Sequence, residues 1–183
     1  MRINWVFADG YKLNPSAEIE KIKNIGATWG SWTTWHTCRT DNVICHSLVK
    51  AQELVSYGLH SQCNFYVPQQ YYEELGNPPG VNQYQGNFEH DVDHAEDIVS
   101  LHFVSTISDL VLLVGFDFGK IVPPTDKSAQ TRILNYHGLV RAVINDSSIE
   151  WIAIDHSPDL GPIYQGMPNI TCDTMENVLQ LFV

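Results

Sequence analysis

Residues 110–117, with the sequence LVLLVGFD, decide the fold, and Asp109 and Asp117 enclose this apolar run. A short, continuous apolar run between two helical patterns is typical of a strand in a parallel sheet that helices cover on both faces. Four other segments have the character of buried strands that stop at a polar residue or a proline: INWVFAD (3–9), CNFYVP (63–68), IEWIAIDH (149–156) and NITCD (169–173). These five runs are the predicted strands.

Helical patterns separate the strands. Apolar residues recur at helical spacing in five segments: 17–25, 41–58 after the cap Thr40, 94–107, 129–146 and 174–183. Residues 76–86, which are rich in glycine and proline, are predicted to form a loop. The repeated order of strand and helix predicts one domain over residues 1–183. Its expected fold is an α/β Rossmann-like three-layer sandwich, with a mainly parallel sheet of five or six strands and helices on both faces.

Charge and composition exclude several classes of partner. The chain has 21 acidic and 10 basic residues and a net charge of −11, which disfavours nucleic acid and anionic membrane surfaces. The apolar runs are too short to span a bilayer, and we find no signal for secretion. The four cysteines lack Cys-x-x-Cys spacing and are expected to be small buried residues. A cytoplasmic protein is therefore expected.

The predicted site lies at the carboxyl ends of the strands, where open parallel sheets bind ligands. Polar residues end the predicted strands there: Asp9, Asp117, Asp155, His156 and Asp173. Gly10 and Asn14 follow the first strand and complete the expected ligand-binding set. The turn Asp9-Gly10-Tyr11 is not the Gly-x-Gly-x-x-Gly of dinucleotide-binding proteins, and the phosphate-binding P-loop and the Gly-x-Ser-x-Gly elbow are also missing.

Three segments resemble a known group of enzymes. The sequences CNFYVPQQYYEEL (63–75), AEDIVSLHFVSTISDLVLLVGFDFG (95–119) and NYHGLVRAVINDSSIEWIAIDHS (135–157) are similar, in order, to units of the bacterial sialyltransferases and the related methanogen pterin pyrophosphokinase-like proteins. The resemblance covers about half of the chain. It implies a transferase for a nucleotide-activated substrate, such as a nucleotide sugar, or for a phosphorylated small molecule. His137 would be the catalytic base, and Asp117 is the second predicted catalytic residue.

Two alternatives remain open. In Glu89-His90-Asp91-Val92-Asp93-His94, a helix would place His90 and His94 on one face, where they and Asp91 would bind a divalent metal in a hydrolase. If Asp93 is instead the N-cap, this run is a solvated helix start. A divalent metal on Asp9, Asp117 or Asp173 would also offset the phosphate charge in the transferase.

The tryptophan-rich sequence WGSWTTWH (29–36) favours a different class of protein. Trp32 would stack on a ligand ring in an enzyme, whereas the same tryptophans would fill a core or form a contact surface in a non-catalytic protein. That protein would be an oligomer or a subunit of a larger assembly, such as a viral particle.

Overall fold

The computed structural model describes residues 1–8, 15–85, 95–116, 127–154 and 164–182. The described strands are β1 (Ile3–Phe7), β2 (Ala27–Ser31), β3 (Asn42–Ile44), β4 (Asn64–Pro68), β5 (Val81–Tyr84), β6 (Leu110–Val114), β7 (Glu150–Ile154) and β8 (Ile170–Asp173). The described α-helices are α1 (Pro15–Ile22), α2 (Trp32–Cys38), α3 (Leu48–Ser56), α4 (Gln69–Glu74), α5 (Ala95–Ile107), α6 (Lys127–Asp146) and α7 (Met175–Gln180), with a 3₁₀ turn at Leu59–Ser61.

All eight strands form one sheet in the order β5-β4-β3-β2-β1-β6-β7-β8, and every pair is parallel. The α/β Rossmann-like class is confirmed, with eight strands instead of five or six. β1 lies inside the sheet between two arms. We call them the β2–β5 arm and the β6–β8 arm.

Helices cover both faces of the sheet. One core contains Val6, Val111 and Leu113 together with residues of α5 and α6, and we call this side the α5 face. Two further cores form the opposite face, where Trp5, Phe7 and Leu112 pack with α1 and α7, and Val43, Phe65 and Val67 pack with α3 and neighbouring helices. No helix in the described ranges combines the length and apolarity that a bilayer-spanning segment needs.

Two secondary-structure predictions are wrong in the β2–β5 arm. The predicted helix over 41–58 is divided into β3 and α3, and Ser47 caps α3 by accepting a hydrogen bond from the Lys50 N–H. Val43 and Ile44 have helical spacing to Leu48 and Ala51, but they belong to a buried strand only three residues long. The predicted loop over 76–86 contains β5, which lies at the sheet edge and buries only Val81 and Tyr84. β2 was also absent from the predicted strands.

Buried polar bonds lie within the β2–β5 arm, and one of them, between Trp29 and Asn4, joins the arm to β1. Asn4 in β1 donates through Nδ2 to Ser108 Oγ at 2.8 Å and accepts from Trp29 Nε1 at 2.8 Å. Asn42 donates to the Thr28 carbonyl at 3.0 Å. These bonds satisfy polar groups inside the core, where an unpaired group is costly. They make this part of the sheet depend on matched partners.

Gly26 precedes β2 and lies directly against Ile3 of β1. A Cβ atom at this position would lie 2.3 Å from the Ile3 carbonyl oxygen. No side chain fits there without a backbone shift. Glycine at position 26 thus allows β2 to lie against β1.

Candidate functional site

The strand order of the sheet reverses between β1 and β6. From β1 it proceeds through β2, β3 and β4 to β5, then returns by α5 to β6 on the other side of β1. The helix that follows β1, α1, packs on one face, and the helix that follows β6, α6, packs on the other. A crevice forms at such a point, outside the carboxyl ends of the two strands. We call this side of the sheet the carboxyl edge.

Most of the predicted site residues come after the strands in the sequence, and they lie outside the described residues. Ala8 and Phe116, the last described residues after β1 and β6, are buried, and the Ala8 N–H donates to the Val114 carbonyl at 2.9 Å. The predicted residues outside the described ranges are Asp9, Gly10, Asn14, His90, Asp91, His94, Asp117, Asp155 and His156. Within the described ranges, no group of three or more His, Cys, Asp or Glu side chains is placed to hold a metal.

Asp173 is the last residue of β8, and its carboxylate supports the start of the next helix, whose N-cap is Thr174. Oδ1 accepts hydrogen bonds from the Thr174 N–H and from Asn177 Nδ2, each at 2.7 Å. Thr174 in turn accepts from the Asn177 N–H at 3.2 Å. The predicted ligand-binding carboxylate therefore has a defined structural role at the start of α7.

His137 lies near the level of the carboxyl edge. α6 ends at Asp146, and β7 begins at Glu150 on the opposite edge of the sheet. Nine residues separate His137 from Asp146, which is about 14 Å along a helix, and a five-residue strand spans about 16 Å. His137 is half-buried, and burial lowers the pKa of its imidazole. A neutral imidazole near pH 7 is suited to accept a proton.

The three tryptophans of the WGSWTTWH segment have different environments. Trp29 and Trp35 are buried, whereas Trp32 is half-buried at the start of α2. Lys50 Nζ lies 4.4 Å from the centre of the Trp32 ring, and the His36 ring contacts the same indole edge-on. The predicted stacking residue thus already carries a cation on its ring.

A tyrosine–histidine pair also lies at the carboxyl edge. His46 is the second residue after β3 and Tyr84 is the last residue of β5, and the two lie at the level of Pro68 on the intervening strand. His46 Nδ1 and Tyr84 Oη are 2.6 Å apart. Tyr84 is only 2% exposed, while His46 is half-buried. The pair links a buried phenol to an imidazole that reaches the surface.

Aromatic rings continue from this pair along the α5 face. The Phe103 cluster consists of Phe103 with Trp29, Tyr66 and Tyr84, whose ring centres lie 5.5, 5.8 and 5.7 Å from that of Phe103. Tyr66 and Phe103 are half-buried. Burial raises the pKa of the Tyr66 hydroxyl, as expected where water is partly excluded.

Two of the cysteines, Cys63 and Cys172, are poor nucleophiles. All four are free thiols, and Cys38 and Cys45 are buried as predicted, whereas Cys172 is exposed. Burial raises the pKa of the Cys63 thiol to about 11 and also raises that of Cys172. Both thiols are thus protonated near pH 7, and they react poorly because only the thiolate is strongly nucleophilic.

A groove of about 640 Å³ lies at the opposite, amino edge of the sheet. It is lined mostly by polar residues from the ends of α5 and α6 and from the starts of the adjacent strands. Asp109 Oδ2 accepts the Arg2 N–H at 2.6 Å and Oδ1 contacts the Arg2 guanidinium at 3.4 Å, which holds the Asp109 pKa below its usual range. None of the sequence-predicted site residues lines this groove.

His46 and Tyr84 were not among the residues predicted from the sequence. His46 was assigned to the interior of the predicted helix over 41–58, and Tyr84 to the predicted loop over 76–86. The usable signal was Ser47, a good N-cap, which would have moved the helix start past His46. Comparison with protein-family models, curated proteins and solved structures found no match.

Proposed function

We propose that this chain is a transferase for a nucleotide-activated substrate, such as a nucleotide sugar, or for a phosphorylated small molecule. The observation that carries the proposal is the sheet order, in which β1 and β6 are neighbours and the helices that follow them, α1 and α6, lie on opposite faces. In parallel α/β sheets, nucleotides and other small molecules bind in the crevice outside such strand ends.

His137 is the proposed catalytic base. Its position along α6 and its lowered pKa support this role, since a neutral imidazole can take the proton of an acceptor hydroxyl. The acceptor oxygen then forms a bond to the donor atom, and the bond between that atom and the phosphate oxygen breaks. The electron pair leaves with the phosphate.

The departing phosphate requires positive charge nearby. Asp9 follows β1 in the sequence and Asp117 follows β6, and these two strands are neighbours in the sheet. We propose that they bind a divalent cation, since carboxylates are the ligands that such cations prefer. The cation would offset charge on the leaving group.

A ligand screen with a His137 variant tests the proposal. Wild type, His137→Gln and the control His36→Gln are screened by thermal shift with nucleotides and nucleotide sugars, with and without Mg²⁺ or Mn²⁺. A ligand at 100 times its dissociation constant should stabilise the protein by about 2.7 kcal/mol. We expect His137→Gln to keep this shift and lose transfer, measured as release of the nucleotide product, while His36→Gln keeps both. Absence of any nucleotide effect on wild type, or full turnover in His137→Gln, would contradict the proposal.

A non-catalytic assembly protein is the second candidate, and exposed apolar side chains favour it. Val49 on α3 and Tyr57 just after that helix are each 75% exposed. Large exposed apolar groups on one element can mark a contact surface. We expect the mass from light scattering to increase with protein concentration for wild type and not for Val49→Asp. A constant monomer mass for wild type would remove this candidate.

A further inference from the structure

His46 is positioned as a ligand-binding group. It follows β3 at the carboxyl edge, where residues in the loops after parallel strands contact ligands. Its Nδ1 is engaged by the buried Tyr84 hydroxyl at 2.6 Å, which fixes the orientation of the imidazole ring. Nε2 then points away from Tyr84, since the two nitrogens lie on opposite sides of the ring.

The surroundings of the pair are aromatic. The Tyr71 ring lies 6.0 Å from the His46 ring at an angle of 48°, and Tyr84 joins the pair to the Phe103 cluster. Tyr71 packs against the core of the opposite face, whereas Tyr84 belongs to the core of the α5 face, so His46 has aromatic neighbours from both faces of the sheet. Aromatic side chains with an oriented imidazole favour a flat ring that can both stack and accept or donate a hydrogen bond.

We propose that His46, oriented by Tyr84, binds a heterocycle at the carboxyl edge of the β2–β5 arm. This inference rests on the proposed function, which supplies the form of the heterocycle: the base of a nucleotide. The phosphate groups would extend towards the crevice between β1 and β6, and the base would occupy the aromatic end of the same edge.

Nucleosides test this inference because they contain the base and lack the phosphate. Binding of adenosine, guanosine, cytidine and uridine is measured by calorimetry for wild type, His46→Gln, Tyr84→Phe and the exposed control His36→Gln. We expect one nucleoside to bind wild type and His36→Gln equally. We expect affinity to fall at least about tenfold in His46→Gln, the effect of losing one hydrogen bond of about 1.4 kcal/mol, and less in Tyr84→Phe.

Several results would overturn the inference. These are no nucleoside binding by wild type, or equal binding by wild type and both folded variants, with folding checked by near-ultraviolet circular dichroism. If only one variant folds, that variant decides, since each removes one half of the hydrogen-bonded pair.

The two proposals fail in different ways. Turnover that depends on His137 without any effect of His46→Gln on binding would retain the transferase and reject the base site. Nucleoside binding that depends on His46, without turnover of any nucleotide substrate, would retain the base site and reject the transferase.

Discussion

The two arms of the sheet on either side of β1 are stabilised in different ways. In the β6–β8 arm, all five residues of β6 are buried and apolar, and β7 buries Trp151, Ala153 and Ile154. In the β2–β5 arm, the strands also bury amides and hydroxyls: Thr28, Ser31 and Asn42. Thr28 and Asp41 form reciprocal hydrogen bonds there, and Thr28 Oγ1 lies 2.7 Å from Asp41 Oδ2.

This difference affects what each arm tolerates. Apolar packing loses stability gradually as side-chain volume is removed, because the loss follows the buried area and the cavity. Loss of a buried hydrogen bond reduces stability in one step, because removing one partner leaves the other unpaired in the core. The arm with the polar bonds is also the arm that contains the tyrosine–histidine pair.

The largest effect is expected at the junction of β1 with the β2–β5 arm. Gly26→Ala should destabilise the protein by more than about 3 kcal/mol, because its Cβ would lie 2.3 Å from the Ile3 carbonyl oxygen. Urea unfolding measures the change.

Gly138→Ala is the matched control, on the helix that covers the other arm. A Cβ at Gly138 would have no heavy atom within 4 Å, so alanine should stabilise α6 by about 0.5–1 kcal/mol. If both glycine variants change stability equally, the close approach at Gly26 is not what holds β2 against β1.

Intermediate effects should separate the two arms. Leu112→Ala in β6 should cost about 3 kcal/mol through loss of packing, since Leu112 is completely buried. Asn4→Ala should cost about 2 kcal/mol, because it leaves the buried Trp29 indole N–H without its acceptor, while the Ser108 hydroxyl keeps its bond to the Val104 carbonyl. Chemical denaturation gives both values.

A double-mutant cycle distinguishes the mechanisms. Asn4→Ala should cost less in a Trp29→Phe background, where no indole N–H remains to be satisfied. The exposed Asn82→Ala on β5 is the control and should be neutral. An unchanged cost of Asn4→Ala in both backgrounds would show that the hydrogen bond does not hold the arm.

The smallest effect is a change in acid sensitivity. Burial lowers the pKa of His137 in the folded state, so the unfolded state binds the proton more readily. This contribution to stability is present above the unfolded pKa of about 6.5 and is lost as pH falls through the folded value. His137→Gln should therefore lose less stability than wild type or His36→Gln between about pH 7 and pH 5 in urea titrations. Equal losses in all three proteins would mean that His137 is not desolvated.

The physical difference between the arms also explains what the sequence could predict. All five predicted strands are present, as β1, β4, β6, β7 and β8. Most of them contain apolar runs, and β8, which buries only Ile170, is the exception. β3 has only three residues and begins with Asn42, whose amide is satisfied by groups distant in sequence. No local pattern encodes such a partnership, so β3 resembled the first turn of a helix.

The candidate site was predictable only in part. The rule that ligands bind at the carboxyl ends of parallel strands identifies this edge without a structure. The switch between β1 and β6 requires the strand order, which depends on pairings between residues about 100 positions apart. The pair of His46 and Tyr84 required two strands that the sequence pattern did not reveal.

The central position of β1 delays the pairing of one of its edges during synthesis of the chain. Residues 1–85 contain β1 and the whole β2–β5 arm, so that arm can assemble while the rest is still being synthesised. The other hydrogen-bonding edge of β1 must wait for residues 110–114. At about 5–20 residues per second, that edge stays open for about 5–20 s after Phe7 is added. During this interval Ile3–Phe7 is an unpaired apolar strand edge, which is the kind of surface that chaperones protect.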